Sequence, residues 1–324
     1  MKTLHSIACA ALSALMLHAG GAAADKWPDR PVTIVVPYSA GGGVDPVARL
    51  VAEKLTQRLG QAFIVENKPG ASGMIGTTFV ARARPDGYTL LMSASDVIAI
   101  NPHLYKNMTY DPRVDLAPIT EVVSLPFLLV TASSFPAHTL KDLVDMAKKT
   151  PGKYAFASGG TGSLQHLAAE MLMSTTGINL IHVPYKGVVP AMNDLLGGQV
   201  PVLFAGFPTA IQHVRTGKIH ALGVTSAKRM EQAKDIPTIA EQGYPGFEVT
   251  QWFGFFAPAK TPPEIVERLY HETAAVLASP DMRERLVAQG ADPVGSSPAE
   301  FKAFTAKESA KFGKIVQDAH VKID

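Results

Sequence analysis

The chain has 324 residues, 47% of them hydrophobic and 18% charged, and its 30 Lys and Arg against 28 Asp and Glu leave a formal net charge of +2. So even a balance gives no footprint for a nucleic-acid partner or an anionic membrane surface. The single cysteine, Cys9, lies close to the N-terminus.

The first element is a leader. Lys2 is followed by an apolar stretch over 7–17, shorter than the ~20 residues that cross a bilayer. It closes on Gly21-Ala22-Ala23-Ala24, where Ala22 and Ala24 fit a small-residue cleavage site. A secretory signal peptide over 1–24 is expected, with the mature chain starting at Asp25. Cys9 leaves with it. Disulfides, thiol catalysis and thiolate metal sites are thereby excluded from the mature chain, and an exported chain without disulfides points to a periplasm.

Strands and helices then alternate. An apolar β-rich run over 32–36 precedes a helix over 46–59, with Asp45 as N-cap and Pro46 as the first helical residue. A strand at 63–65, a helix at 72–83 and a strand at 88–92 follow. The pattern changes across 118–126. A new series runs through a strand at 127–131, a helix at 140–149, a strand at 153–157, a helix at 164–176 and a strand at 180–183. A helix at 189–196 and strands at 200–204 and 221–225 continue it. Helices over 263–278, over 281–289 and from Pro298 close the chain. This order predicts an α/β fold whose two halves are each a mainly parallel sheet flanked by helices. The chain leaves the first half and returns to it, with crossings near 121–126 and 248–253. One lobe is then 25–124 with 250–324, and the other is 125–249.

Two strand–helix junctions are rich in glycine. The first is "PYSAGGGVDP" from Pro37, the second "ASGGTGS" from Ala157. In open α/β sheets ligands bind at the carboxyl ends of strands, where helix N-termini favour an anion and glycine lets it approach the backbone. Neither a Walker pattern nor GxGxxG is present, which removes the nucleotide phosphate readings. A tight turn without a ligand explains the first stretch equally well. The second stretch repeats the arrangement and favours two helix ends aimed at one small anion.

At this point the sequence resembles the extracytoplasmic receptors of tripartite tricarboxylate transporters, the Bug-type binding proteins. The resemblance runs through "WPDRPVTIVVPYSAGGGVDPVAR", "VENKPGASGMIGTTFVARARPDGYTLL", "YDPRVDLAPIT" and "FASGGTGSLQHLAAEML", and on through "HVPYKGVVPAMNDLLGGQV" and "IPTIAEQGYPGFEVTQWFGFFAPAKTP". It implies a two-lobed periplasmic binding-protein fold that closes over a small organic carboxylate in the cleft between lobes and delivers it to the membrane subunits of the transporter. It implies a monomer with no cofactor, no metal and no catalytic residue. One carboxylate loop would be Tyr38, Ser39, Ala40, Gly41 and Gly42, closed by Asp45 acting as a cap. The other would be Ser158, Gly159, Gly160, Thr161, Gly162 and Ser163, with His166 one turn into the helix. Ser95, after the third strand, and Phe207 are further candidates to line the cleft.

One departure stands out. Many members of the family carry an Asp after the strand at 200–204 that faces the cleft. Here Ala205 and Gly206 occupy that place. The expected ligand is therefore a di-, tri- or aromatic carboxylate without an amine. Two other roles stay open at this stage. One is a sensor that presents its bound form to a membrane signalling protein. The other is a secreted hydrolase using Ser163 and His166, which the lack of a GxSxG elbow disfavours.

Overall fold

Side chains of the Val- and Ile-rich strand β1 (Val32–Val36) alternate between two cores, Ile34 and Val36 on one face and Val35 on the other. It opens an α/β architecture seen in a computed structural model that describes residues 27–323. The expected leader lies outside the described residues. Next come α1 (Val44–Leu59), β2 (Phe63–Asn67), α2 (Met74–Ala81) and β3 (Thr89–Ala94). A π-helical turn at Asp96–Ile100 follows β3, continued by a short helix at Asn101–Leu104. The long strand β4 (Leu116–Ala132) leads into α3 (Leu140–Lys149), β5 (Ala155–Ser158), α4 (Leu164–Thr176) and β6 (Ile181–Pro184). The rest is α5 (Val188–Leu196), β7 (Val202–Gly206), α6 (Phe207–Arg215), β8 (Ile219–Val224), β9 (Thr250–Pro258), α7 (Pro263–Leu277), α8 (Pro280–Ala288), β10 (Asp292–Pro293) and α9 (Pro298–Asp318).

Two parallel triplets carry the helix-flanked halves. They are β2-β1-β3 and β7-β5-β6. The antiparallel strands β4 and β9 join them. Residues 116–126 of β4 pair with β9, from Leu116 opposite Pro258 to Pro126 opposite Thr250. Beyond Pro126 the same strand pairs with β7 and β8 instead.

The change of pattern at 118–126 is thus not a gap between strands. Pro118 cannot donate to a ladder, and the pairing slips between Pro118 and Thr120 and again between Glu121 and Val123. These bulges let one strand continue through a segment whose sequence reads as broken. The buried run of β9, expected only as a crossing, is a strand whose Trp252, Phe253, Phe255 and Phe256 are all within 1% of full burial. Phe301 of α9 lies edge-on to Trp252 and tilted against Phe256, which ties the last helix to the central ribbon. Each ring so buried contributes roughly 1.5–3 kcal/mol from apolar area.

Candidate ligand-binding site

The carboxyl ends of β3 and β5 meet at a cavity of about 300 Å³. Ser95, Asp96, Asn101 and Tyr105 wall it from one side, and the loop from Gly159 to Gln165 from the other. Gln251, at the start of β9, lies between them. A roomier groove of about 480 Å³ separates α4 from α9, but neither glycine junction reaches it.

The second glycine loop is braced from behind. His166 is 5% exposed, and its Nδ1 accepts the Gly162 amide at 3.1 Å. Nδ1 therefore carries no proton, and Nε2, 3.2 Å from Glu170 Oε1, does. The ring stacks on His182 at 3.8 Å and 8°. Burial holds His182 down to about 4. Its Nε2 lies 2.6 Å from Ser158 Oγ, which accepts the Gly160 amide at 3.1 Å. Ser163 caps α4 by accepting the His166 amide at 3.3 Å. So Gly159, Gly160, Thr161, Gly162 and Ser163 line the cavity, while Ser158 and His166 sit behind them as supports. Positive φ values of 132° at Gly160 and 80° at Gly162 explain why glycine stands there.

The first glycine loop follows the same plan with different atoms. Helix α1 starts at Val44 with Gly43 as N-cap, so the expected cap by Asp45 is corrected. Asp45 sits inside the first turn and is 4% exposed. It accepts from the Gly41 amide at 2.9 Å, from Asn67 Nδ2 at 3.0 Å and from Arg49 Nε at 3.1 Å. Burial opposes its charge, but these bonds outweigh burial and hold its carboxyl below the ordinary range. Ser39, Ala40 and Gly41 are exposed, Gly42 is half-buried, and none of the four walls the cavity. Tyr38 reaches it indirectly. Its hydroxyl donates to Asp96 Oδ1 at 2.5 Å and accepts the Ala94 amide at 3.4 Å.

Phe207 is placed in the core rather than the cleft. It is 5% exposed, and a Cβ on Gly290 would come within 2.7 Å of its ring. Ser95, by contrast, is a wall residue.

Sequence reasoning missed several wall residues, among them Asp96, Ser72, Asn101 and Tyr105. Asp96 is the most consequential, because an acid was sought only at Ala205 and Gly206. The cavity has its acid after β3 instead of after β7, at a position that the reading of Ala205 and Gly206 did not cover. The signal was present in Asp96 standing next to the singled-out Ser95. Ser72 takes the left-handed region at φ 51° within a run, Gly70 to Gly73, of positive φ throughout. Its carbonyl accepts Asn101 Nδ2 at 3.0 Å, and its hydroxyl lies 2.7 Å from that of Tyr105. Among the described residues, no Lys, Arg or His walls this cavity, and no group of three His, Cys, Asp or Glu is placed to hold a metal ion.

Residues 47–321 match the model of the tripartite tricarboxylate transporter family receptor. The chain belongs to this receptor family. The family serves a transporter and is not one of enzymes, and it has the α/β periplasmic binding-protein fold described above. BugT of Bordetella pertussis is 37% identical over 93% of this chain and 92% of its own length. Among solved structures, R. palustris Rpa4515 with adipate is 36% identical with a TM-score of 0.77, over 91% of this chain and 99% of that one. MatC from Rhodopseudomonas palustris with bound malate is 31% identical with a TM-score of 0.72, over 90% of this chain and 100% of that one.

Proposed function

We propose that the protein is an exported receptor that captures a small organic carboxylate between two lobes and hands it to the membrane subunits of a tripartite transporter. The observation that carries this reading is the Gly159–Ser163 loop at the N-terminus of α4, which borders a cavity walled without a cationic side chain. A carboxylate there is held by amide and hydroxyl donors and by the positive helix end. Hydrogen bonds to a charged group contribute about 1.5–3 kcal/mol each, so four give roughly 6–12 kcal/mol before desolvation and closure. Micromolar affinity requires about 8 kcal/mol. The relatives solved with adipate and malate support the ligand class.

In this reading the leader is cleaved before Asp25. The lobes are 25–124 with 250–324 and 125–249, and β4 and β9 form the crossings. The first glycine loop completes the site when the lobes close. The test is a thermal-shift and calorimetric screen of di-, tri- and aromatic carboxylates, beside mass spectrometry of acids released from the denatured protein. Stabilisation by at least one small carboxylate, with a smaller radius in X-ray scattering, is expected. Failure of every acid to bind overturns the reading.

A further inference from the structure

Among the described residues, the one formal charge on the cavity wall is negative, and it stands on the lobe opposite the second glycine loop. Asp96 is fixed there by chain geometry. It comes two residues after the end of β3 and opens the Asp96–Ile100 turn. Tyr38 Oη spends its proton on Asp96 Oδ1 at 2.5 Å, and Tyr38 is itself anchored by Asn67 Nδ2 on its carbonyl at 3.0 Å. The acid is thus positioned before any ligand arrives.

We infer that Asp96 sets ligand choice: it receives a hydrogen-bond donor on the ligand, an ammonium or hydroxyl group, so the cleft prefers a carboxylate bearing such a donor over a plain dicarboxylate. This rests on the carboxylate-receptor reading above.

The electrostatics run as follows. A plain dicarboxylate seated with one end on the glycine loop brings its second negative charge toward Asp96. No cation on the wall offsets the pair, and like charges in a desolvated cleft repel strongly. An ammonium in the same place meets a carboxylate already aimed at it. A hydroxyl donates to it without adding charge. Burial pushes the Asp96 carboxyl above its ordinary range, with the Tyr38 bond pulling the other way, so the group gains from a ligand donor that favours its charged form. Discrimination of this kind depends as much on what the site repels as on what it holds.

The experiment uses matched pairs at neutral pH by calorimetry. Adipate is compared with ε-aminocaproate, which replaces one carboxylate by an ammonium, and succinate with malate, which adds a hydroxyl. The full mature chain is expected to bind ε-aminocaproate and malate at least about tenfold tighter than their partners. In Asp96→Asn, which keeps an oxygen for Tyr38 and drops the charge, the margin should fall below about threefold, chiefly because adipate and succinate bind better. Equal affinities within both wild-type pairs, or a margin that survives in a folded Asp96→Asn, overturn the inference while leaving the receptor reading intact. If Asp96→Asn melts early, the wild-type ranking decides alone. If no member of either pair binds but another carboxylate does, this role for Asp96 falls. If no carboxylate binds at all, the receptor reading falls and takes the inference with it.

Discussion

Asp45 accepts the backbone amide of Gly41, four residues before it, at 2.9 Å. His166 accepts the amide of Gly162 over the same separation at 3.1 Å. In each half of the molecule, a side chain in the first turn of a helix reaches back and fixes the glycine loop that leads into it. One acceptor is a carboxylate and the other a neutral imidazole. The amides so held are spent on the protein, as are those of Gly42, Ser163 and Gly160, which donate to the Ser39 carbonyl, the Gly160 carbonyl and Ser158 Oγ.

The Asp45 brace should therefore be worth stability before it is worth affinity. Asp45→Ala leaves the Gly41 amide, Asn67 and Arg49 without their acceptor and should cost about 1–3 kcal/mol. Asp45→Asn keeps one oxygen and should hold ligand affinity within about tenfold. Because folding lowers the Asp45 pKa, its contribution is complete above the ordinary carboxylate value of ~3.9 and disappears as pH falls through the depressed one. Acid unfolding of Asp45→Asn should accordingly show a shallower limb below about pH 4. An unaltered limb would remove Asp45 from this role.

Glu121 acts in the opposite sense. Burial first, then Glu308 and Glu248, push its carboxyl up to about 8. Folding therefore binds a proton that the unfolded chain releases near ~4.3. The stability this gives is complete below ~4.3 and is lost as pH rises through about 8. Glu121→Gln removes the titration without changing shape. Its melting temperature should exceed that of the wild type at pH 9 and approach it at pH 5, with a gap worth up to a few kcal/mol. A gap that is constant with pH would contradict the account.

His182 should stay neutral through the range in which an ordinary histidine titrates. Its folded value of about 4 lies below the unfolded ~6.5, so stability from this group is full above ~6.5 and declines as pH falls towards 4. Proton NMR of the His182 ring should give a midpoint near 4. A midpoint above 6 would mean that the stacked pair with His166 is open to water.

The two glycine loops should respond differently to one methyl group. At Gly41, with φ 78°, an added Cβ meets nothing within 4 Å. Gly41→Ala then costs only the left-handed backbone, about 1–2 kcal/mol. At Gly162, with φ 80°, the same Cβ would come within 2.8 Å of Leu104 Cδ1 and 3.3 Å of Ile323. Gly162→Ala should carry the same backbone cost and also push the two sides of the cavity apart. Its X-ray scattering radius with ligand should stay larger than that of Gly41→Ala. Equal radii would show that this contact does not limit closure.

Much of this was readable from local signals. Helix α3 begins where Thr139 and Asp142 form a capping box, and α9 where Ser297 and Glu300 do. Both glycine junctions announced strand ends and helix starts. What stayed hidden depends on distant partners. The first half of β4 was masked by Pro118 and Pro126, whose places in the ladder are set by β9 more than a hundred residues later. Phe207 reads in sequence as either cleft or core, and the distant Gly290, which lies against its ring, is what sets it in the core. Asp96 acquires meaning only from Tyr38, 58 residues earlier, and from a loop on the opposite side of the cavity.

The β4–β9 pairing has a mechanical consequence. The ladder running from Leu116 opposite Pro258 to Pro126 opposite Thr250 is a strap two strands wide. Sliding one strand along the other would break every rung at once. Flexing the strap out of its plane keeps the rungs and only changes its twist. The strap is softest where its rungs are already irregular, at the slips beside Thr120 and Val123. In the proposed receptor, the ladder would act as a leaf spring rather than a pivot pin, guiding the two halves along nearly one path of approach.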